Sequence, residues 1–479
     1  MLNDVLVGRN EEIQRLNQCM NEERSQLVVV YGRRRVGKTY LINKYFNGCF
    51  DFKLTGIYNA RKEVQLQNFV TELNRQGNTT LDCPKSWAEA FSHLRTYIEE
   101  LPEDEKHVIF FDEMPWLDTA KSEFLPSFEF FWNDYGCTVK NLVCIVCGSA
   151  TAWMEKKIAQ NKGGLFNRQT CSLFLKPFTL KETEEYLVSR GIVWSHYDIS
   201  ECYMILGGIP FYQSLLRSDL SLSGNIDNLF FRKRAELWDE FDHLYQTLFN
   251  NSELYIKTVE ALSSKRGGLT RKEISEKTGI YNNSSLTEVL DGLAVCDFIR
   301  KEAFYGNHKR ELRYQLSDYY TAFYFHFLKD KHGRDEHFWS HSYDNPARRA
   351  WTGLTFELLC KDHIRQIKQK LGISGVLSEE YTWSIPSTSD NGINKGAQID
   401  LLIDRRDHVI NLCEIKFVSN LFEIDKSYNE VLRNKIEAFS RISKAKKSLQ
   451  LTIISPYGVK DGKYSNIVTN QVLLDDLFL

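Results

Sequence analysis

A loop with the spacing of a phosphate-binding motif lies near the N-terminus. Residues 32–39 match the pattern G-x-x-x-x-G-K-[ST], with Lys38 and Thr39 at its end. In such a loop, backbone N–H groups point at phosphate oxygens, the lysine reaches the β- and γ-phosphates, and the threonine hydroxyl ligates Mg²⁺. A glycine turn that arose by chance is the alternative. The pattern predicts an ATP and Mg²⁺ site formed by Gly32, Arg33, Arg34, Arg35, Val36, Gly37, Lys38, Thr39 and Tyr40.

Two acids follow the next apolar run, His107–Phe111. At the end of a strand that neighbours the loop, Asp112 would complete the Mg²⁺ shell. Glu113 would then activate the attacking water as a general base. An ordinary acidic helix cap after the strand is the alternative. It does not explain why the acids come about half a domain after Lys38, and we therefore predict that Asp112 is a metal ligand and that Glu113 is catalytic.

A third apolar run, Leu142–Cys147, ends in a small polar tip. Ser149 at this tip is suited to sense the γ-phosphate, and it is predicted to be catalytic together with Lys38 and Glu113. Cys144 and Cys147 have the CxxC spacing of a redox or metal pair. Because both lie inside an apolar strand, core thiols are the favoured interpretation.

A second group of charged residues lies in the last third of the chain. The segments Gln398–Ile403 and Val409–Phe417 predict a hairpin that carries Asp400, Glu414 and Lys416. Side chains two residues apart on a strand share a face, so Glu414 and Lys416 would point the same way. This is the PD-(D/E)xK nuclease pattern. The two acids would bind Mg²⁺ or Mn²⁺, and the lysine would stabilise charge on the attacked phosphate.

The register of this hairpin tests the nuclease interpretation. A connection of two or four residues pairs Asp400 with Cys413, whereas three or five residues pair it with Glu414. The interpretation therefore predicts an odd loop such as 406–408. Glu357, in the predicted helix Trp351–Ile364, would add a further contact. The alternative is a structural αβ domain in which Asp400 forms an ion pair with Lys416.

The surrounding sequence predicts the elements that position these groups. The β-branched run Leu27–Tyr31 leads into the loop, and an apolar helical pattern follows it. Further along, helices are predicted at Glu253–Leu262, from the capping box Thr270–Glu273 to Gly279, and from Ser284 to Leu293. Two strands follow, Phe298–Phe304 and Leu312–Leu316. Three short helices and a hairpin predict a winged helix-turn-helix.

Local charge gives mixed evidence for nucleic acid binding. Residues 254–310 hold ten Lys/Arg against seven Asp/Glu, but the predicted recognition helix has no base-reading arginine. A protein-packing module is therefore an equal alternative. Residues 433–463 hold eight Lys/Arg against two Asp/Glu. They would follow a phosphate backbone or form one solvated helix face, through Arg433, Lys435, Arg441, Lys444, Lys446 and Lys447.

The string Tyr31 to Thr39, YGRRRVGKT, resembles the loop of the archaeal-type AAA-related P-loop ATPases. Residues 6–12 resemble the family's upstream box, which implies that Gly8 and Arg9 lie near the adenine. Residues 110–113, 147–149 and 207–212 also match family positions in order. The resemblance implies an AAA-like core with Ser149 as sensor, a helical lid and a C-terminal domain similar to PD-(D/E)xK nucleases.

Arg168 lies where such ATPases carry an arginine finger, although this segment departs from the usual tyrosine-glycine-arginine pattern. A guanidinium near the γ-phosphate would stabilise charge in the transition state, and it could act between subunits of a homo-oligomer. A surface arginine before the predicted strand Cys171–Leu175 is the alternative.

Composition limits the possible classes of protein. The chain has 479 residues, a formal net charge of −2 and 42% hydrophobic residues, values of a soluble globular protein. We expect no signal peptide and no membrane span, because the longest apolar runs have only the length of a strand. Eleven scattered cysteines indicate reduced thiols, so a cytoplasmic location is expected.

The predicted fold class is α/β. We expect a P-loop ATPase core at 1–177, a helical lid and linker at 178–250, a winged helix-turn-helix at 251–330 and a restriction-endonuclease-like domain at 331–479. The predicted function is a Mg²⁺-dependent ATPase coupled to a DNA-binding or nuclease-like domain. The alternative is a nucleotide-gated signalling or scaffold switch with an inactive nuclease-like domain.

Overall fold

A computed structural model describes residues 6–149, 151–159, 163–165, 167–249, 251–265, 267–306, 312–329, 335–386, 396–443 and 446–479. The chain divides into two compact units. The first comprises Met1–Pro177 with Ile209–Phe211 and Thr247–Asn250, and the second holds the remainder. No helix in the described ranges is long and apolar enough to cross a membrane.

The first unit contains a five-stranded parallel sheet in its described residues. Its strands are β1 (Gln26–Tyr31), β2 (Phe52–Thr55), β3 (His107–Asp112), β4 (Leu142–Gly148) and β5 (Cys171–Phe174), in the order β2-β3-β4-β1-β5. Strands β1, β3 and β4 are almost wholly buried, as their continuous apolar runs predict for a sheet covered on both faces. The sequence interpretation placed the acidic strand next to the loop strand, and this was wrong. Strand β4 lies between them because it pairs with both β1 and β3.

Helices cover this sheet and bury its apolar faces. They are α1 (Asn10–Asn21), α2 (Lys38–Tyr45), α3 (Lys62–Gly77), α4 (Trp87–Glu99), α5 (Phe124–Asp134) and α6 (Thr151–Met154). Large side chains from α3, α4 and α5 pack with the sheet into one core, where Phe69, Trp87, Phe111 and Phe128 are at most 1% exposed. Cys144 and Cys147 are buried free thiols inside β4, so the prediction of core thiols is confirmed.

Among the described residues, five α-helices follow in the region predicted as lid and linker. They are α7 (Leu180–Ser189), α8 (His196–Leu206), α9 (Pro210–Ser214), α10 (Leu222–Ile226) and α11 (Glu240–Leu248). Within the region predicted as a helical lid and linker, residues 232–239 are not helical. A π-turn ends at Phe231, and the backbone stays non-helical until α11. Arg234 has a positive φ of 61°, and the Leu237 N–H donates to the Leu229 carbonyl at 3.1 Å, which closes a loop there.

Three helices and a small antiparallel sheet follow. They are α12 (Ser252–Ser263), α13 (Arg271–Thr278), α14 (Ser284–Val295), β6 (Leu269–Thr270), β7 (Ile299–Glu302) and β8 (Arg313–Leu316), with strand order β6-β8-β7. The predicted capping box forms, because Thr270 accepts from the Glu273 N–H. Gly279 ends α13 with φ at 72°, in the left-handed region that glycine tolerates best. Most of the connection between the two predicted strands, residues 307–311, lies outside the described residues.

The C-terminal part of the second unit contains a mixed sheet. Its strands are β9 (Ser378–Ile385), β10 (Ala397–Arg405), β11 (Val409–Ile415), β12 (Ser448–Ser455) and β13 (Asn470–Leu473). The helices are α15 (Tyr319–Phe323), α16 (Phe338–His341), α17 (Pro346–Asp362), α18 (Ile364–Lys370) and α19 (Lys426–Ser443). The strand order is β13-β12-β11-β10-β9, antiparallel from β9 to β11 and parallel from β11 to β13. Helix α19 packs its apolar side, including Leu432 and Phe439, onto this sheet.

Candidate functional site

The phosphate-binding loop owes its shape to two glycines. Gly32 has φ at 145°, and a Cβ there would lie 2.4 Å from the Leu175 carbonyl oxygen. Gly37, which precedes α2, has φ at 90°. Inside this turn, the Lys38 ammonium donates to the carbonyl oxygens of Gly32 and Arg33, both at 2.9 Å. The loop therefore holds its lysine over the concave side that the motif assigns to phosphates.

Arg9, which directly precedes α1, holds the loop in place. Its guanidinium is 5% exposed and donates to the Val36 carbonyl at 3.0 Å and to the Lys176 carbonyl at 2.8 Å. Arg9 and Gly8 both have positive φ, at 61° and 66°. The family resemblance assigns these residues to the adenine. The geometry shows that Arg9 also fixes the backbone of the phosphate-binding loop.

The predicted metal-binding pair is in direct contact. The Thr39 hydroxyl, at the start of α2, donates to Asp112 Oδ1 at 3.0 Å. Asp112 is 5% exposed, and burial together with the neighbouring Glu113 charge raises its pKa. Helix α2 thus brings Thr39 to the end of β3, although β4 separates that strand from β1. A hydroxyl and a buried carboxylate at this spacing fit two positions of a Mg²⁺ shell.

Glu113 and Ser149 are also joined. Glu113 Oε2 accepts from the Ser149 backbone N–H at 3.0 Å and from its hydroxyl at 2.8 Å. Glu113 has a positive φ of 48°, a conformation that non-glycine residues adopt uncommonly. Four predicted residues, Thr39, Asp112, Glu113 and Ser149, therefore meet at the carboxyl edge of the sheet.

The remaining predicted residues of the loop region differ in exposure. Arg33 and Val36 are buried, Arg34 is partly buried, and Tyr40 is 43% exposed on α2. Arg168 is exposed in the loop before β5. Of these five residues, Tyr40 and Arg168 are the exposed ones.

One contact of the loop was missed by the sequence interpretation. The Arg35 guanidinium lies over the Phe211 ring, 4.3 Å from its centroid, and the Phe211 N–H donates to the Arg35 carbonyl at 3.4 Å. Arg35 has a positive φ of 72°. Phe211 lies in the segment 207–212, whose family match was the available signal.

The hairpin of the last third has the register that the nuclease interpretation requires. Strands β10 and β11 are joined by the three residues 406–408, and Leu401 pairs with Cys413. Continuing this register places Asp400 opposite Glu414. The odd loop closes because His408 adopts a positive φ of 66°. The predicted register is confirmed.

Glu414 lies at the centre of a charged cluster. It is 2% exposed, and its Oε1 lies 2.8 Å from the Lys416 ammonium. Lys435 on α19 donates to Oε2 at 2.6 Å, and the Tyr428 hydroxyl donates to Oε1 at 2.5 Å. Glu414 and Lys416 therefore share a face of β11, as predicted. Lys435 and Tyr428 were missed as members of this group, because their helix is distant in sequence.

The acids of this cluster influence one another. Burial raises the pKa of Asp400, and the Glu414 charge raises it further. Burial and the Asp400 charge raise the pKa of Glu357 on α17 to about 8. Burial also opposes ionisation of Glu414, but Lys416 and Lys435 outweigh it, and its pKa is lowered. Asp400, Glu414 and Lys416 therefore lie together, and Glu357 is close enough for their charges to influence its pKa.

Each of the two candidate sites offers only a few protein ligands to a metal ion. The described residues contain no group of three or more His, Cys, Asp or Glu side chains placed to hold a metal ion. Thr39 with Asp112, and Asp400 with Glu414, would each supply two protein ligands. Water and substrate phosphates usually complete the shell of Mg²⁺ in such sites. ATP would supply phosphate oxygens at the first pair.

The two basic stretches are less available than their charge suggests. Arg300 pairs with Asp362 at 2.6 Å, and Lys301 pairs with Asp291 at 2.9 Å. On the C-terminal side, Lys435 pairs with Glu414. Lys447 pairs with Asp404, while Arg433 and Lys446 are exposed and Lys444 lies outside the described residues. Folding therefore places acids from other elements beside two lysines of the stretch 433–463, and DNA contact by the stretch stays a prediction.

Comparisons with known proteins agree with the loop geometry. Residues 6–216 match the model of an ATPase domain found predominantly in Archaea. An uncharacterized protein of Methanocaldococcus jannaschii is 27% identical over 326 residues, which cover 68% of this chain and 69% of that protein. An uncharacterized ATP-binding protein of the same organism is 49% identical over 41 residues, 9% of this chain and 70% of that protein.

A solved structure, that of a Walker-type ATPase of Pyrococcus abyssi, has 17% identity and a TM-score of 0.47. It covers 68% of this chain and 97% of that one. The sequence match to the family model and the Thr39–Asp112 geometry concern the same part of the chain. Residues 6–216 therefore form an ATPase domain of this predominantly archaeal family.

Proposed function

We propose that the protein binds ATP with Mg²⁺ and hydrolyses it at the loop of residues 32–39. The contact between Thr39 and Asp112 carries this proposal, because it joins the two protein ligands that a P-loop site needs for its metal. The ATP-binding description of the Methanocaldococcus jannaschii relative supports the choice of nucleotide, since the two sequences are 49% identical over 41 residues.

The residues of the loop have separate tasks in this proposal. Mg²⁺-ATP supplies the phosphoanhydride and neutralises part of its negative charge. Lys38 leaves the Gly32 and Arg33 carbonyls and donates to phosphate oxygens. Glu113 accepts a proton from the attacking water, and the two donors on Ser149 hold its carboxylate in place. Arg168 is proposed to stabilise the transition state, as an arginine finger of a homo-oligomer.

We further propose that the C-terminal domain is nuclease-like and acts on DNA through a divalent metal at Asp400 and Glu414, with Lys416 beside it. The confirmed hairpin register supports this, since it sets both carboxylates at one position of the sheet. The proposed winged helix at 251–330 is supported by the helices α12 to α14 and the antiparallel strands β7 and β8. Nucleotide binding would change how this domain engages DNA.

A second candidate is a nucleotide-gated signalling or scaffold switch with an inactive nuclease-like domain. The internal ion pairs favour it. Arg300 and Lys301 are neutralised by Asp362 and Asp291, and Glu414 is held by two lysines. A domain whose Lys and Arg side chains form internal ion pairs has fewer of them available to bind phosphates.

One paired experiment separates the two candidates. ATP turnover and plasmid nicking are measured with Mg²⁺ or Mn²⁺ for wild type, Lys38→Ala, Asp400→Ala and the exposed control Lys85→Ala. We expect Lys38→Ala to lose at least about 100-fold in turnover, because it removes phosphate charge stabilisation. We expect Asp400→Ala to abolish nicking while turnover remains.

The outcomes are distinct for the two activities. Normal turnover in Lys38→Ala would overturn the proposed ATPase site. Failure of wild type to nick under every metal and nucleotide condition would remove the nuclease proposal, and it would leave the switch as the better function. Lys85→Ala is expected to match wild type in both assays, since its side chain is exposed on the segment before α4.

A further inference from the structure

The cluster around Glu414 holds one more cation than the nuclease pattern requires. Lys416 belongs to the pattern and reaches Oε1, where the Tyr428 hydroxyl also donates. Lys435 does not belong to the pattern and donates to Oε2 at 2.6 Å from a separate helix, α19. Both oxygens of a carboxylate that is 2% exposed are therefore engaged by donors of the protein itself.

This arrangement creates a competition. A divalent cation shared by Asp400 and Glu414 needs a lone pair on a Glu414 oxygen. In the described residues Oε1 contacts two donors, whereas Oε2 contacts Lys435 alone. Freeing Oε2 therefore breaks one contact instead of two. Metal entry is favoured at the oxygen that Lys435 covers.

The two lysines also differ in how easily they can withdraw. Lys416 is two residues from Glu414 on β11, so the strand itself keeps its side chain close. Lys435 reaches Glu414 from α19, where its side chain is 17% exposed and has four rotatable carbons. It can swing away from Oε2 without any movement of the sheet.

We propose that Lys435 is a positioning residue that holds Glu414 Oε2 until a divalent cation takes its place. This inference rests on the proposed metal site at Asp400 and Glu414. A dication there would replace one ammonium beside three acidic side chains, Glu357, Asp400 and Glu414. The displaced ammonium would remain within reach of a phosphate held by the metal, which is the chemistry of the proposed DNA substrate.

The test measures binding of Mn²⁺ alone to the full chain, by electron paramagnetic resonance of free Mn²⁺. Every variant carries Asp112→Asn, so that the loop site does not contribute. Lys435→Gln keeps a neutral donor to Oε2 and removes the charge. We expect it to raise Mn²⁺ affinity at least about fivefold, since a charge-assisted hydrogen bond is about twice as strong as a neutral one.

Three further variants complete the design, namely Arg433→Gln, Lys435→Arg and Asp400→Asn. Arg433→Gln removes the same charge from an exposed position of α19, and it is expected to change affinity less than about twofold. Lys435→Arg restores a competing cation and is expected to return affinity toward wild type. Thermal unfolding of each variant shows that it is folded before metal is added.

The outcomes distinguish this inference from the function on which it rests. If Asp400→Asn binds as much Mn²⁺ as its parent, no metal lies at Asp400, and both proposals fail. If Asp400→Asn loses Mn²⁺ but Lys435→Gln stays within twofold of the parent, the competition by Lys435 is refuted while the metal site stands. An equal gain in Mn²⁺ affinity in Arg433→Gln would show that the effect comes from the change in net charge alone. That outcome would also refute the inference.

Discussion

At the scale of single residues, the bond between Ser149 and Glu113 is the contact with the clearest kinetic consequence. The hydroxyl donates to the carboxylate at 2.8 Å, and we propose that it orients the base. We expect Ser149→Ala to lower kcat for ATP about tenfold and to leave KM within about twofold. Ser149→Thr keeps the hydroxyl and is the matched control. A rise in KM with kcat unchanged would instead assign Ser149 to nucleotide binding.

At the scale of elements, helix α8 is joined to the segment that follows β11. Tyr197 stacks on Phe417 with ring centroids 4.5 Å apart, and Phe417 contacts Phe356 of α17 at 4.8 Å. Phe417 directly follows Lys416, and Phe356 precedes Glu357, so the stack lies beside the candidate metal site. Tyr197→Ala is expected to lower the free energy of unfolding of the second unit by about 1–3 kcal/mol, through lost packing and ring contacts.

Hydrogen exchange with mass spectrometry checks this prediction, because faster exchange is expected in the peptides that contain Phe417 and Phe356. Tyr281→Ala is the control, since that ring is 82% exposed and its loss should change stability by less than about 0.5 kcal/mol. Equal exchange in the two variants would show that the stack does not stabilise the segment.

At the scale of the whole molecule, the proposed arginine finger makes activity depend on assembly. Arg168 is exposed, so a second copy of the chain could receive it at its own loop. Arg168→Ala and Lys38→Ala are each expected to lose ATP turnover. An equal mixture is expected to regain about one quarter of wild-type turnover. Half of its subunits carry an intact loop, and about half of those loops adjoin a subunit with an intact Arg168.

Turnover is measured after the two variants are mixed under conditions that allow subunit exchange. Lys38→Ala mixed with the exposed variant Arg433→Ala gives the reference for dilution. Full turnover in Arg168→Ala alone, or no recovery in the mixture, would remove Arg168 from the catalytic site.

Much of the fold was predictable from local patterns. Strands β1, β3 and β4 and the capping box at Thr270 lie where apolar runs and capping residues predict them, because these signals depend on neighbours in sequence. The phosphate-binding loop is equally local, since glycine conformations and the following helix create its shape. The sequence also reduced the pairing of Asp400 to two registers, which differ only in whether the connecting loop has an even or an odd number of residues.

The tertiary structure decided which distant groups meet. It inserted β4 between β1 and β3 and still brought Thr39 to Asp112. In the fold, Lys435 donates to the Glu414 carboxylate, although the sequence placed it in a stretch predicted to contact DNA. Sequence fixes the charge and the local conformation of each residue, but an ion pair depends on distance after folding. The sequence by itself therefore determined the phosphate-binding loop, whereas the packing of α19 on the sheet decided which cations surround the second candidate site.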